Sequence, residues 1–306
     1  MSRTAAVQAA RLSRRARLAL GPERAFPWLM VGPALCVILA VMLYPIASLV
    51  VMSLQDYGTS TTQGTWVGLK WYRLLPADPR FVDGLKRTLA YSVGSVAGAM
   101  VLGTAMALVL YRKFPGITLV RTLFILPMVV MPVASALIWG TMFNPSQGVL
   151  NYFLDVLGLP RSLWLASPDT VLASLILVEI WMGAPFVMLI VLAGLHTMPS
   201  EPFEAAQIDG ASAAAQFWYL TLPMLRAALA TAMLFRLIDT LKQFPLIWVL
   251  TQGGPLRASE TLYVYGYALG FQYFDLGYGS AVLMALLVVV LVISGLWMRV
   301  RERSWL

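Results

Sequence analysis

Six long apolar stretches alternate with polar connections along the chain, at 27–53, 85–111, 119–143, 170–195, 227–250 and 276–298. Each has at least the roughly 20 residues that a helix needs to cross the hydrocarbon core of a bilayer. The pattern predicts an all-α membrane protein with six transmembrane helices. Pro45, Pro127, Pro132, Pro185 and Pro245 fall inside the stretches. A proline removes a backbone donor that lipid cannot replace, so kinked core helices packed around a wet interior are expected. Gly94 and Gly98 form a small-xxx-small pair, which ordinary close helix packing explains.

The polar connections set the orientation. Arg3, Arg11, Arg14, Arg15, Arg17 and Arg24 precede the first stretch; Arg112, Lys113 and Arg121 surround the second connection. Arg226, Arg299, Arg301 and Arg303 complete that side, which holds thirteen of the 22 Lys and Arg residues. Seven lie on the other side, and Arg236 and Lys242 fall within the fifth stretch. The positive-inside rule places both termini in the cytoplasm, with Lys86 and Arg87 pulling the other way. The expected organisation is a basic cytoplasmic segment at 1–26, a transmembrane domain at 27–298 and a cytoplasmic tail at 299–306. The first stretch is too long for the apolar region of a cleaved signal and reads as a retained anchor. The basic residues ahead of it face anionic lipid headgroups.

Composition narrows the function. The chain is 59% hydrophobic and 12% charged, with mean hydropathy +0.77. A soluble domain carries about twice that charge. The net charge of +8 follows membrane orientation and gives no reason to expect nucleic acid. One cysteine, Cys36, and one histidine, His196, exclude a disulfide framework and a Cys- or His-based metal cluster. The sequence contains no phosphate-binding G-x-x-x-x-G-K-[ST], no H-E-x-x-H and no G-x-S-x-G. No catalytic residue, metal site or bound cofactor is expected.

One connection, 199–225, is more elaborate than a linker needs to be. It contains "EPFEAAQIDGASAAAQFWYLTLP" from Glu201 to Pro223. Ala205 and Ala206 favour helix, and Ser200 followed by Glu204 is consistent with a helix start. Gly210 permits a sharp turn, and Pro223 marks the return to the membrane. Small alanines let a helix lie close to a partner surface, where Glu204 offers a charge-assisted contact. The stretch resembles the EAA loop of ATP-binding-cassette import permeases, through Glu204, Ala205, Ala206, Gly210, Leu222 and Pro223, with Leu220 in place of the usual isoleucine. "LFRLIDTLKQFPLIWVLTQGGP" and "ETLYVYGYALGFQYFDLGYGSA" resemble the carbohydrate branch related to the maltose system. In that branch Gln252 departs from a glycine and Pro245 from a common aspartate.

The resemblance implies a permease in the cytoplasmic membrane of a bacterium or archaeon. Its implied partners are a second related permease, two ATPase subunits that use ATP and Mg, and an extracytoplasmic solute-binding protein. Glu204, Ala205, Ala206, Asp209, Gly210, Leu222 and Pro223 would then form the coupling helix that inserts into the ATPase. The residues themselves leave a membrane-surface connector as the plainer alternative.

The substrate path is marked by polar residues at membrane depth. Arg236, Asp239, Thr240 and Gln243 are spaced for one face of the fifth helix, and Glu179, Met182, Gly183 and Phe186 share a face of the fourth. Carboxylates, amides and guanidinium groups bond sugar hydroxyls. Phe186, Trp139 or Trp181 could supply an aromatic for the apolar face of a sugar ring. Arg236 and Asp239 either contact substrate or neutralise one another as a packing device. Lys242 lies off that face, as an ion-pair partner for Asp239. A neutral oligosaccharide, a polyol, a sugar phosphate and a sugar sulfonate all remain open, and an ion-coupled carrier using Glu179 and Asp239 is the remoter alternative.

Overall fold

The computed structural model describes residues 22–58 and 64–303. Most of the basic N-terminal segment expected at 1–26 lies outside the described residues. The chain divides into two units, residues 1–52 and 53–306. In the first, helix α1 (Pro22–Ser53) passes through Pro45 without a break, and its 30–53 portion is apolar enough to span a membrane.

The second unit holds the remaining helices. A two-residue ribbon, β1 (Gln55–Asp56) and β2 (Thr65–Trp66), pairs antiparallel and is followed by the short helix α2 (Lys70–Leu74). Next come α3 (Pro79–Tyr111), α4 (Ile117–Val129), α5 (Pro132–Met142), α6 (Val149–Val156) and α7 (Val171–His196). The connecting loop forms α8 (Glu201–Ile208) and α9 (Ala213–Gln216), and a π turn leads into α10 (Leu222–Leu241). Then α11 (Pro245–Thr251), α12 (Leu262–Tyr267), a second π turn (Ala268–Gln272) and α13 (Leu276–Arg303) complete the chain. Among the described residues five helical segments are long and apolar enough to span a membrane. The pair α4–α5, bent by 100°, gives six if it counts as one span. The fold is an all-α membrane protein.

Three boundaries differ from those expected, each through a proline. Helix α3 begins at Pro79, not at 85, because Asp78 caps it: its Oδ1 accepts the Arg80 amide at 2.9 Å, and Pro79 needs no amide partner in the first turn. The third stretch is broken at Val130 and Met131, both extended, since Pro132 disfavours helix in the residue before it. The fifth stretch is not a single helix at 227–250. Helix starts at Ala213 and stops at Leu241, and α11 restarts at Pro245. Pro223 lies within continuous helix, in the first turn of α10. There the π turn Phe217–Thr221, in which the Leu222 amide reaches the Phe217 carbonyl, absorbs the missing donor.

The centre of the unit is the parallel pair α3 and α7. Gly94 faces Ile176, Gly98 faces Ile180, and Gly103 lies against the backbone of Ala184 and Met188. A Cβ at Gly103 would sit 2.6 Å from Cβ of Val187. Ala99, Ala107, Val187, Met188 and Val191 close this seam together with Leu225 of α10.

At the end where α3 begins, Asp78 does a second job. Its Oδ2 accepts the hydroxyls of Tyr265 at 2.7 Å and Tyr278 at 2.6 Å, joining α3 to α12 and α13. Burial alone would raise the Asp78 carboxyl, but the bonds from Tyr278 and Tyr265, together with the backbone amides of Arg80 and Phe81, hold it below the usual carboxylate range. Burial, reinforced by Asp78, pushes the Tyr265 hydroxyl well above the usual phenol range, so it remains a donor. Because the folded-state value of Asp78 is depressed, its stabilisation is present above the ordinary value of about 3.9 and is lost as pH falls through the lower folded value. Asp78→Ala removes a helix cap and strands two tyrosine hydroxyls, and should cost about 2–3 kcal/mol. A lower midpoint of thermal unfolding in detergent is the expected result, with Asp78→Asn falling between Ala and the unsubstituted protein.

Candidate functional site

Glu179 lies midway along α7 and is buried. Its carboxylate receives three donors from separate parts of the chain. The Tyr91 hydroxyl from α3 donates to Oε2 at 2.9 Å, and the Gln243 amide, just past the end of α10, donates to the same oxygen at 2.8 Å. The Arg236 guanidinium from α10 pairs directly with Oε1. Gly183, one turn along α7 from Glu179, makes room for this pair, since a Cβ there would collide with the Arg236 guanidinium.

Glu179, Arg236 and Gln243 line a cavity of about 470 Å³. Asp239 and Lys242 add to its polar lining; Met182 and Phe186 of α7, with Met128, Pro132, Phe244, Pro245 and Tyr263, supply the rest. The prolines that interrupt the third and fifth stretches thus stand at the cavity, where broken helix exposes backbone to a space and not to lipid. Inner and outer charges differ in access. The Arg236 and Glu179 side chains are 9% and 3% exposed, whereas Asp239 and Lys242 are 50% and 59% exposed and pair with each other at 3.3 Å.

The polar residues singled out from the sequence divide accordingly. Glu179, Met182, Phe186, Arg236, Asp239 and Gln243 line the cavity. Gly183 lies beneath it, and Thr240 is buried with its hydroxyl donated to the Leu237 carbonyl. Arg236 takes Glu179 as its close partner, with Asp239 only at 3.9 Å. Gln243 reaches Glu179 from beyond the helix end, not from a helical face. Trp139 and Trp181 pack edge-on against each other in a separate cluster and do not line the cavity. Tyr91, Phe244 and Tyr263 were not foreseen. No spacing signals a lone tyrosine in α3 as the partner of a carboxylate 88 positions away.

The connecting loop is folded as a tight helical hairpin. Helix α8 ends at Ile208 with Asp209 as its C-cap, and Gly210 takes the left-handed conformation at φ 76°. The Ala211 amide reaches back to the Ala206 carbonyl at 2.9 Å and the Gly210 amide to Gln207 at 3.1 Å, a Schellman termination that satisfies the last carbonyls. Ser200 occupies the N-cap of α8 without a side-chain bond, while the Ser212 hydroxyl accepts the Ala215 amide to start α9. Glu204, Ala205 and Asp209 are exposed, and Ile208 is 87% exposed. Leu222 is half-buried and Pro223 exposed, both in the helical run that follows.

Residues 99–301 match the family described as binding-protein-dependent transport system inner membrane component. The chain belongs to this family. It is therefore a multi-pass inner-membrane component of a transport system that works with a binding protein, and the match spans the cavity and the α8 loop. The chain is 34% identical to the trehalose/maltose transport system permease protein MalF of Thermococcus litoralis, over 89% of this chain and 91% of that protein. It is also 34% identical to the trehalose transport system permease protein SugA of Mycobacterium tuberculosis, over 90% and 89%. Among solved structures, a bacterial ABC transporter involved in the import of the acidic polysaccharide alginate superposes with a TM-score of 0.81 at 26% identity, covering 94% of this chain and 99% of that one.

Glu179→Leu leaves the Arg236 guanidinium buried and unpaired, which should destabilise the protein by about 3–5 kcal/mol. Glu179→Leu combined with Arg236→Met removes both charges and should recover most of that loss. Thermal unfolding of the two variants in detergent distinguishes a coupled pair from two independent side chains.

Proposed function

We propose that this chain is a permease subunit of a sugar importer, carrying a neutral saccharide through the cavity beside Glu179 while ATP is hydrolysed on partner subunits. Its sugar-transporting relatives support the substrate class. The cavity supports neutrality: Arg236 is matched by Glu179 and Lys242 by Asp239, so this lining has no charge left over for a phosphate, sulfonate or carboxylate. Asp239, Lys242 and the Gln243 amide can bond hydroxyls, and Phe186, Phe244 and Tyr263 present ring faces to the apolar side of a sugar.

The observation that carries the coupling is the shape of the α8 loop. A short helix with an exposed Glu204, Ala205 and Ile208, closed by a left-handed glycine, fits a projecting key more than a surface connector. In this reading α8 docks on one of two ATPase subunits, a second permease completes the pore, and both termini lie in the cytoplasm. ATP and Mg act on the ATPases; this chain binds neither and performs no chemistry. The binding protein delivers the sugar from the opposite side.

Gly210→Ala places a Cβ on a left-handed residue with no neighbour within 4 Å, so its cost is purely conformational, about 1–2 kcal/mol. It should weaken the hold of the permease on the ATPase, and Glu204→Ala should do the same without disturbing helix insertion. Retained co-purification and undiminished uptake in both variants would remove the case for α8 as the docking element. For the substrate, thermal stabilisation of the cognate binding protein should occur with a neutral sugar such as trehalose or maltose. Stabilisation by anionic sugars alone would refute the neutral reading and leave the importer intact.

A further inference from the structure

The aromatic wall of the cavity does not stop at the cavity. Phe244 and Tyr263, which line it, have ring centroids 5.1 Å apart. Phe244 also meets Tyr267 at 4.8 Å and Trp248 at 5.6 Å, and Trp248 meets Tyr267 at 4.7 Å. Tyr267 then stacks on Phe271 at 4.9 Å with the rings 26° apart. Phe271 is 65% exposed. The result is an unbroken series of rings from the cavity to an open surface.

Two features give the series a direction. Tyr263, Tyr267 and Phe271 recur every four residues, on one face of α12 and its π turn. Leu262, Tyr265 and Leu269 on another face make the contacts that hold this segment in the core with Tyr278 and Val282 of α13. Tyr263 also packs against that core, and Phe244 and Trp248 against the core of Tyr91, Val171, Leu175, Ile247 and Val264, so Tyr267 and Phe271 are the rings that extend beyond packed core. At the start of α12 the Leu262 amide donates to Thr88, more than two turns into α3, while at the far end Asp275 accepts the amides of Tyr278 and Gly279 in the first turn of α13. Arg80, in the first turn of α3, lies over the Tyr273 ring. The exposed ring thus stands at the end where α3 and α13 begin. Helix α8 follows the end of α7, which runs parallel to α3, so it lies at the opposite end.

We propose that Phe244, Tyr263, Tyr267 and Phe271 form a saccharide track that leads successive pyranose rings of a linear oligosaccharide from the outer end of the permease into the cavity. The inference rests on the sugar-importer reading. Pyranose rings present C–H groups on one face and hydroxyls around the edge. An aromatic ladder holds the first while leaving the second free. Such a surface is uncharged and tolerant of register, so rings can step along it. A disaccharide small enough to sit within the cavity has little need of the outer rings, whereas a longer chain still occupies them when its leading ring is bound.

The test uses the complete complex of this chain with its partner permease and ATPase, reconstituted in lipid vesicles with the cognate binding protein. Tyr267→Leu and Phe271→Leu keep apolar bulk and remove the ring; Tyr267→Phe keeps the ring. Uptake is measured for trehalose, maltose and longer malto-oligosaccharides. Expected is full assembly, unchanged ATP hydrolysis without sugar, and about three- to tenfold slower uptake of the longer chains in the leucine variants. Disaccharide uptake should change little, and Tyr267→Phe should behave as the unsubstituted protein. Equal uptake at every length in the leucine variants would overturn the track. Loss of the partner permease from the complex would also overturn it, by placing these rings in a subunit interface. If the unsubstituted complex moved no saccharide of any length, the sugar-importer reading itself would fall, an outcome distinct from uptake that persists and ignores the substitutions.

Discussion

A carboxylate buried inside a membrane protein must be answered by donors, and the arrangement around Glu179 follows from that requirement. The answer comes from Tyr91 on α3, Arg236 on α10 and Gln243 in the break after α10. Three elements distant in sequence are thereby brought to one point on α7. The guanidinium fits only because position 183 lacks a side chain. The pair contributes less to net stability than it does to registry, since its attraction is offset by the cost of removing both charges from water. What it sets is the position of α10 relative to α7, and with it the placement of Asp239 and Lys242 at the cavity.

The same two helices flank the α8 loop. Glu179 stands on the helix that leads into α8, and Arg236 on the helix that leads out of it. A force applied at α8 would reach Glu179 along α7 and Arg236 along α10. The π turn at Phe217–Thr221 is the compliant point between α8 and Arg236, while the breaks at Lys242–Phe244 and Val130–Met131 adjoin the cavity. Each lies beside a proline, so backbone that cannot continue its hydrogen bonds is found near the cavity or the loop.

Much of this was legible before any coordinates. Runs of apolar residues determined the class of fold, because a bilayer allows few backbone solutions besides the helix. The Glu204–Gly210 spacing marked a helical turn, since only glycine takes φ near 76° without strain. Glu179, Arg236 and Asp239 were evident as charges where charge is costly. Helix ends were less legible: Asp78-Pro79 is a strong start signal, yet it lies outside the apolar stretch that hydropathy delimits.

The tertiary structure alone decided the partners. Periodicity along α10 relates Arg236 to Asp239, its neighbour on the same helix, but the close contact is with Glu179, because burial leaves Arg236 no water and Asp239 faces the open cavity. Likewise Phe244 and Tyr263 become one wall only when α11 and α12 fold back on the break after α10. Local sequence determines which groups must be satisfied and which backbone must turn. Long-range packing determines who satisfies them, because hydrogen bonds and ion pairs act over a few ångströms in space irrespective of separation along the chain.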